Sequence, residues 1–321
     1  MTRNVPILYL SNKTLESLDV TTLEVIECME HLISGQARGE VWHTPKSVIL
    51  PGDGRYMMSS LSAADDPPYL AVKSVILNPR NSESGLPQIN GLIMVLDSET
   101  GLPVAVVDGN WVTAIRTAGA SAVAARKLAR ADSSVIAFIG CGVQAHSHLK
   151  LFSDMFPLRE VRAFGRGAVN RDALCQAAEA AGYLGVPCET AQQAVEDADI
   201  VITSVTMTVK IDPFIDPHWL KPGVFVSSTD TAIPFMPEGM SAFDRIFIDD
   251  REQELAMENP MVAPSLISGD ISELVSEKVP GRSDDDERTA FVFRAVVLGD
   301  LALSGLALDK ARASGKGQIL E

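Results

Sequence analysis

From residue 133 onward, short apolar runs alternate with helical stretches, and this alternation limits the possible folds more than any other feature of the chain. VIAFIG (135–140) precedes the helical QAHSHLKLFSDMF, EVRAFGR (160–166) precedes RDALCQAAEAAG, and VPCET precedes AQQAVEDA. DIVITSVT, VFVSSTD and DRIFIDD add further strands. Apolar strands separated by helices imply a parallel sheet covered on both faces, so the expected class is α/β, a doubly wound Rossmann sheet. The first strand-to-helix turn reads Gly140-Cys141-Gly142-Val143-Gln144-Ala145, a G-x-G-x-x-A pattern. The first glycine makes the turn, the second lets a pyrophosphate approach the backbone, and Ala145 still permits close helix–strand packing. The helix start offers backbone N–H groups, those of Val143 and Gln144 among them, and a partial positive charge. The same pattern also serves as a plain turn in a nucleotide-free α/β fold.

The N-terminal part has a different rhythm. Residues 15–36 space leucine, valine and isoleucine as an amphipathic helix. Over residues 37–110, β-rich runs (SVIL, YLAVKSVIL, GLIMVLD, LPVAVVD) alternate with turn clusters (PGDG, AADDPP, NPRNSESG, DSETG), the mark of an antiparallel sheet. Residues 113–130 are alanine-rich and read as a long connecting helix, 280–288 as a charged exposed loop, and 289–313 as a helical tail. The expected organisation is an α+β domain of residues 1–118 plus 295–321, with a Rossmann domain over residues 119–294 between them.

Composition narrows the partners. The 321 residues carry a formal net charge of -15, which disfavours nucleic acid and anionic membrane surfaces. No apolar run reaches the roughly 18 residues of a membrane span, and the apolar run in the first twenty residues is too short and interrupted to be expected to act as a signal peptide. Cys28, Cys141, Cys175 and Cys188 are scattered, which fits a reduced, cytoplasmic setting without a disulfide framework or zinc site. The five histidines do not cluster with carboxylates, and His146 and His148 point apart on a helix, so no metal is expected.

Two cations stand in unexpected company. Lys73 interrupts YLAVKSVIL, whose two faces are both apolar; it is either buried and functional or an edge gatekeeper. Arg116 sits among small residues in TAIRTAGASA, where its planar fork could grip a carboxylate or form a salt bridge. At the end of the second Rossmann strand the chain reads Phe164-Gly165-Arg166-Gly167, with no acid for ribose hydroxyls. Arg166 suits a 2′-phosphate or stacking on adenine, and leaves NADH and NADPH both open.

Taken in order, GLPQINGLIMVLDSETGLPVAVVDGNWVTAIRTAGASAVAARKLA, the GCGVQA turn, DADIVIT and WLKPGVFVSS resemble the ornithine cyclodeaminase/μ-crystallin family. The resemblance covers most of the chain. It implies a homodimer whose α+β domain binds substrate and forms the dimer interface, beside a Rossmann domain for NAD(H) or NADP(H). Family members include cyclodeaminases, ketimine reductases, alanine dehydrogenases and opine-type synthases. It places the substrate lysine on Lys73 and the carboxylate-binding arginine on Arg116. A second family arginine falls on Lys46, a departure. The acidic residue by which cyclodeaminases engage the substrate side-chain amine falls on Ala232, with Asp230 two places early, which argues against ornithine. Gly140, Gly142, Val143, Gln144, Ala145, Arg166, Thr206, Ser228, Thr229 and Asp230 form the expected cofactor set.

His43, Lys46, Arg55, Lys73 and Arg116 make the expected substrate region rich in cations, which suggests a dicarboxylate. The resulting expectation is NAD(P)H-dependent reduction of an α-imino acid, with iminosuccinate to aspartate and NADH fitting best. The alternatives are a reductase of cyclic imines such as pyrroline-2-carboxylate, an ornithine cyclodeaminase, and a ligand-binding protein without turnover.

Overall fold

The computed structural model of the protein describes residues 6–206 and 211–320. The chain divides into two compact units. One runs to Arg116 and resumes at Val297; the other is Thr117–Val296.

The first unit opens with β1 (Ile7–Leu10), α1 (Asn12–Glu16) and α2 (Thr22–Arg38). The single helix expected over residues 15–36 is therefore two. The chain turns at Asp19, which has φ 48°, and Thr21 restarts the helix through a capping box with Glu24. Then come β2 (Val41–His43), β3 (Ser47–Ile49), β4 (Tyr56–Ala64), β5 (Tyr69–Leu77), β6 (Ile89–Asp97), β7 (Pro103–Asp108) and α3 (Gly109–Leu128). β2 through β7 pair antiparallel, as the turn clusters imply, and β4 spans a stretch, YMMSSLSAA, too rich in serine to read clearly as a strand.

β4, β5 and β6 alternate buried and exposed residues, so one face of this sheet is covered and the other is not. Met57, Leu61, Leu92 and Met94 lie on the open face. Val72 pairs with both Leu61 and Met94 there, making the apolar patch continuous across three strands.

The second unit adds β8 (Val135–Ile139), α4 (Val143–Met155), β9 (Glu160–Phe164), α5 (Ala168–Ala180), β10 (Leu184–Pro187), α6 (Ala191–Val195), β11 (Ile200–Thr203) and β12 (Phe225–Ser228). β13 (Arg245–Ile248), α7 (Arg251–Leu255), β14 (Ile267–Asp270), α8 (Ile271–Val275) and β15 (Thr289–Val292) complete it. Among the described residues its sheet runs β10-β9-β8-β11-β12-β15-β13-β14, with every pairing parallel. β11, β12 and β15 are buried at every position, the signature of a sheet covered on both faces. This is the expected doubly wound Rossmann architecture, and the other unit is α+β as expected.

The chain returns to the first unit with α9 (Leu298–Ser314) and β16 (Gln318–Leu320). The expected helix over residues 289–313 is corrected here. Residues 289–292 form the parallel strand β15, because TAFV is a β-branched and aromatic run that slots between β12 and β13. Among the described residues no helix is long and apolar enough to cross a membrane, and no group of three His, Cys, Asp or Glu is placed to hold a metal.

Candidate active site

In the second unit the strand order reverses between β8 and β11, and ligands of open α/β sheets bind beyond the strand ends at such a point. Gly140 follows β8 there with φ 96°. A Cβ at this position would lie 2.5 Å from the Ser204 carbonyl oxygen, so both conformation and space demand glycine. Gly142 begins α4, and a Cβ there would meet nothing within 4 Å, so its side of the turn is open. Ala145 is fully buried, and Val143 is 69% exposed.

α2, α6 and α8 begin with capping boxes from Thr21, Thr190 and Asp270. No side chain caps α4 at Gly142 or α5 at Gly167. Both uncapped starts border one cleft of about 300 Å³, which also reaches Arg166, Asn170 and Thr206. Arg166 is exposed and donates from Nη2 to Thr206 Oγ1 at 3.2 Å. The described lining of this cleft contains no acidic side chain. An open backbone at a helix start, without a competing carboxylate, matches what phosphate groups need.

α4 is anchored from below. His148 is fully buried, and burial pushes its pKa down to about 4, so the ring is neutral. Nδ1 donates to the Gln144 carbonyl, Nε2 accepts from the Ser121 hydroxyl, and Ser121 accepts from Ser227. Of the two histidines weighed for metal binding, this one serves packing.

Ser228 and Asp230 are buried rather than open to the cleft. The Asp230 carboxylate accepts from Thr203 Oγ1, Ser228 Oγ and the Val205 N–H at 2.6–2.8 Å, and burial raises its pKa. Thr229 Oγ1 donates to the Thr203 carbonyl. The three residues thus brace the loop that carries Val205 and Thr206 into the cleft wall. Thr231 and Ala232, next in sequence, adopt φ near 60°.

In the first unit Lys73 is 1% exposed on β5, an interior strand, which removes the edge-gatekeeper alternative. Its Nζ donates to Thr113 Oγ1 and to Asp300 Oδ1, both at 2.7 Å. Burial lowers the Lys73 pKa to about 8, with Asp300 opposing the shift and Arg116 adding to it. Arg116 Nε lies 3.4 Å from the same Asp300 oxygen. The Arg116 side chain is 8% exposed, and its buried Nε, though within ion-pair distance of Asp300, makes no hydrogen bond. Two cations against one carboxylate leave one net positive charge, which suits one organic carboxylate.

Asp300 is the residue that sequence reasoning missed. It is the lone charge in AVVLGDLALSGLAL (295–308), and a solitary acid in an apolar helix was the available signal. Gly299 beside it makes room: a Cβ there would lie 3.0 Å from Arg116 Cβ. Ser60 and Ser62 were missed as well. Both are buried on β4, Ser60 opposite Lys73 and Ser62 opposite His43, so a polar row crosses the covered face from β5 to β2.

The other expected cations fare differently. His43 Nε2 lies 3.0 Å from Gln36 Nε2, and Lys46 is half-buried between β2 and β3. Arg55 corrects the expectation of surplus charge. Its Nε donates to both oxygens of Asp53, at 3.0 and 2.8 Å, and Asp53 also accepts from Arg80, so the guanidinium is matched within its own turn.

Comparison with known proteins gives this geometry its context. The sequence pattern of the ornithine cyclodeaminase/mu-crystallin family matches residues 8–315. Mouse ketimine reductase mu-crystallin is 30% identical over 264 residues, 81% of each chain. The structure of Thermococcus litoralis Delta(1)-pyrroline-2-carboxylate reductase in complex with NADH and L-proline superposes with a TM-score of 0.89 at 26% identity, covering 97% of this chain and 99% of that one. The iminosuccinate reductase of Paracoccus denitrificans, solved with NAD+, shares the fold with a TM-score of 0.85 at 23% identity over 98% and 99% of the two chains. The chain belongs to the ornithine cyclodeaminase/mu-crystallin family.

Proposed function

We propose that the protein is an NAD(P)H-dependent oxidoreductase that reduces the C=N bond of an α-imino acid to give an amino acid, with iminosuccinate to aspartate as the preferred reaction. One observation carries the reading: a buried arginine whose Nε makes no hydrogen bond stands beside a buried lysine, with one carboxylate between the two cations. Arg116 grips the α-carboxylate and fixes which face of the imine is presented. The Lys73 ammonium hydrogen-bonds the imine nitrogen or carboxylate and gives up a proton, so C=NH becomes C=NH₂⁺ before reduction.

The glycine turn, the open starts of α4 and α5, Arg166 and Thr206 are the residues that would hold the dinucleotide, and their geometry fits its phosphates. Bound there, reduced nicotinamide supplies a hydride to the imine carbon. Arg166 and the acid-free cleft also admit the extra phosphate of NADPH. The chain's relatives, a ketimine reductase and a pyrroline-2-carboxylate reductase, support imine reduction.

A dicarboxylate needs a second anion partner, and the polar row ending at His43, with Lys46 next along the chain, supplies one. The matched Arg55 reduces that case, and the pyrroline-2-carboxylate relatives favour a cyclic imine as the second reading. We also assign a homodimer, with the open apolar face of β4, β5 and β6 as its interface, and a cytoplasmic setting, where the four free thiols stay reduced.

The test is oxidation of NADH and of NADPH with oxaloacetate plus ammonia, with pyruvate plus methylamine, and with pyrroline-2-carboxylate. Turnover of the first mixture above the others supports the dicarboxylate. Turnover of the cyclic imine alone transfers the assignment to the second reading, and no turnover of any imine rejects both.

A further inference from the structure

We propose that Asp300 is a positioning residue that keeps Lys73 charged and aims the outer edge of the Arg116 guanidinium at the substrate carboxylate. The inference rests on the reading of Lys73 and Arg116 as the substrate grip. Its ground is geometric. One buried carboxylate oxygen, on a helix more than 180 positions beyond Arg116 in the chain, lies 2.7 Å from Lys73 Nζ and 3.4 Å from Arg116 Nε. It faces the inner nitrogen of the guanidinium at ion-pair distance, without a hydrogen bond, and lies on the side away from the terminal nitrogens. Gly299 lets α9 approach Arg116 closely enough for this contact.

Two buried cations side by side would repel and shed a proton, and lysine is the one that can do so. The groups facing Lys73 are few. α9 brings Asp300, α3 brings Arg116 and the neutral Thr113, β4 brings Ser60, and β6 brings Ile93. Asp300 is therefore the sole described counter-charge, and it holds the Lys73 pKa at about 8 against burial. The raising influence is Asp300's, so removing it moves the pKa down. The ammonium is then lost at neutral pH, where the wild-type protein keeps it.

The test reads Lys73 directly. Protein labelled with ¹³C at lysine Cε is titrated by NMR, with the Lys73 signal assigned by its loss in Lys73→Met. The wild-type midpoint is expected near 8. In Asp300→Asn it is expected to fall by about one to three pH units, and the alkaline limb of kcat/KM moves with it. An unmoved midpoint overturns the proposal. Asp300→Glu covers the case in which the asparagine variant does not fold. It should keep the midpoint within about half a pH unit yet raise KM for the imino acid about tenfold with kcat little changed, because the longer side chain displaces Arg116. A glutamate variant with unchanged KM also overturns it. Should the wild-type protein reduce no imine while the midpoint shifts as stated, the proposed function fails and the role of Asp300 in charging Lys73 stands.

Discussion

The two sheets bury their residues in opposite ways. β11, β12 and β15 are buried at every position, whereas β4, β5 and β6 alternate. The fully covered sheet can present a site only at its strand ends, where the proposed cradle is backbone: a glycine turn and two helix starts. The half-covered sheet instead places a lysine from its covered face among side chains of α3 and α9. The difference is between a site made of main chain and one made of buried charge, and the two should fail differently under mutation.

The largest effect is expected at the charged site. Arg116→Ala should lower kcat/KM for the imino acid by about a thousandfold or more, roughly 4 kcal/mol of transition-state binding, with dinucleotide affinity essentially unchanged. Loss of dinucleotide binding in that variant would break the division. Next comes the backbone site. Gly142→Ala adds a Cβ where nothing lies within 4 Å, so its melting temperature should stay near wild type while dinucleotide Kd rises about tenfold or more. Equal affinity for NADH in that variant would show that the turn is not the cradle. The smallest catalytic effect belongs to the open face. Leu92→Glu, at a side chain 49% exposed, should convert the proposed dimer to monomers in sedimentation equilibrium while each unit stays folded. A wild-type protein that sediments as a monomer would remove the assigned interface.

The same division explains what could be read in advance. The parallel sheet and its turn were legible because backbone binding leaves a local record: Gly140 and Gly142 stand in fixed register with β8 and α4. Lys73 and Arg116 were legible as anomalies, charges among apolar or small neighbours. Their partner was not, since no spacing rule connects position 300 to position 73, and only folding brings α9 back onto β5. TAFV was absorbed into a helical tail because four residues give too little period to tell strand from helix. Arg55 looked available because its neutralisation by Asp53 depends on how the PGDG turn closes.

The loop after β12 has a consequence for how such enzymes diversify. Thr231 and Ala232 hold left-handed backbone angles that aspartate and asparagine adopt more readily than alanine or threonine. The family resemblance drawn from the sequence puts at position 232 the acidic residue expected of cyclodeaminases. The main chain here already has the posture such a residue prefers, so a shift in substrate repertoire at this point asks for one exchanged side chain and no rebuilt loop.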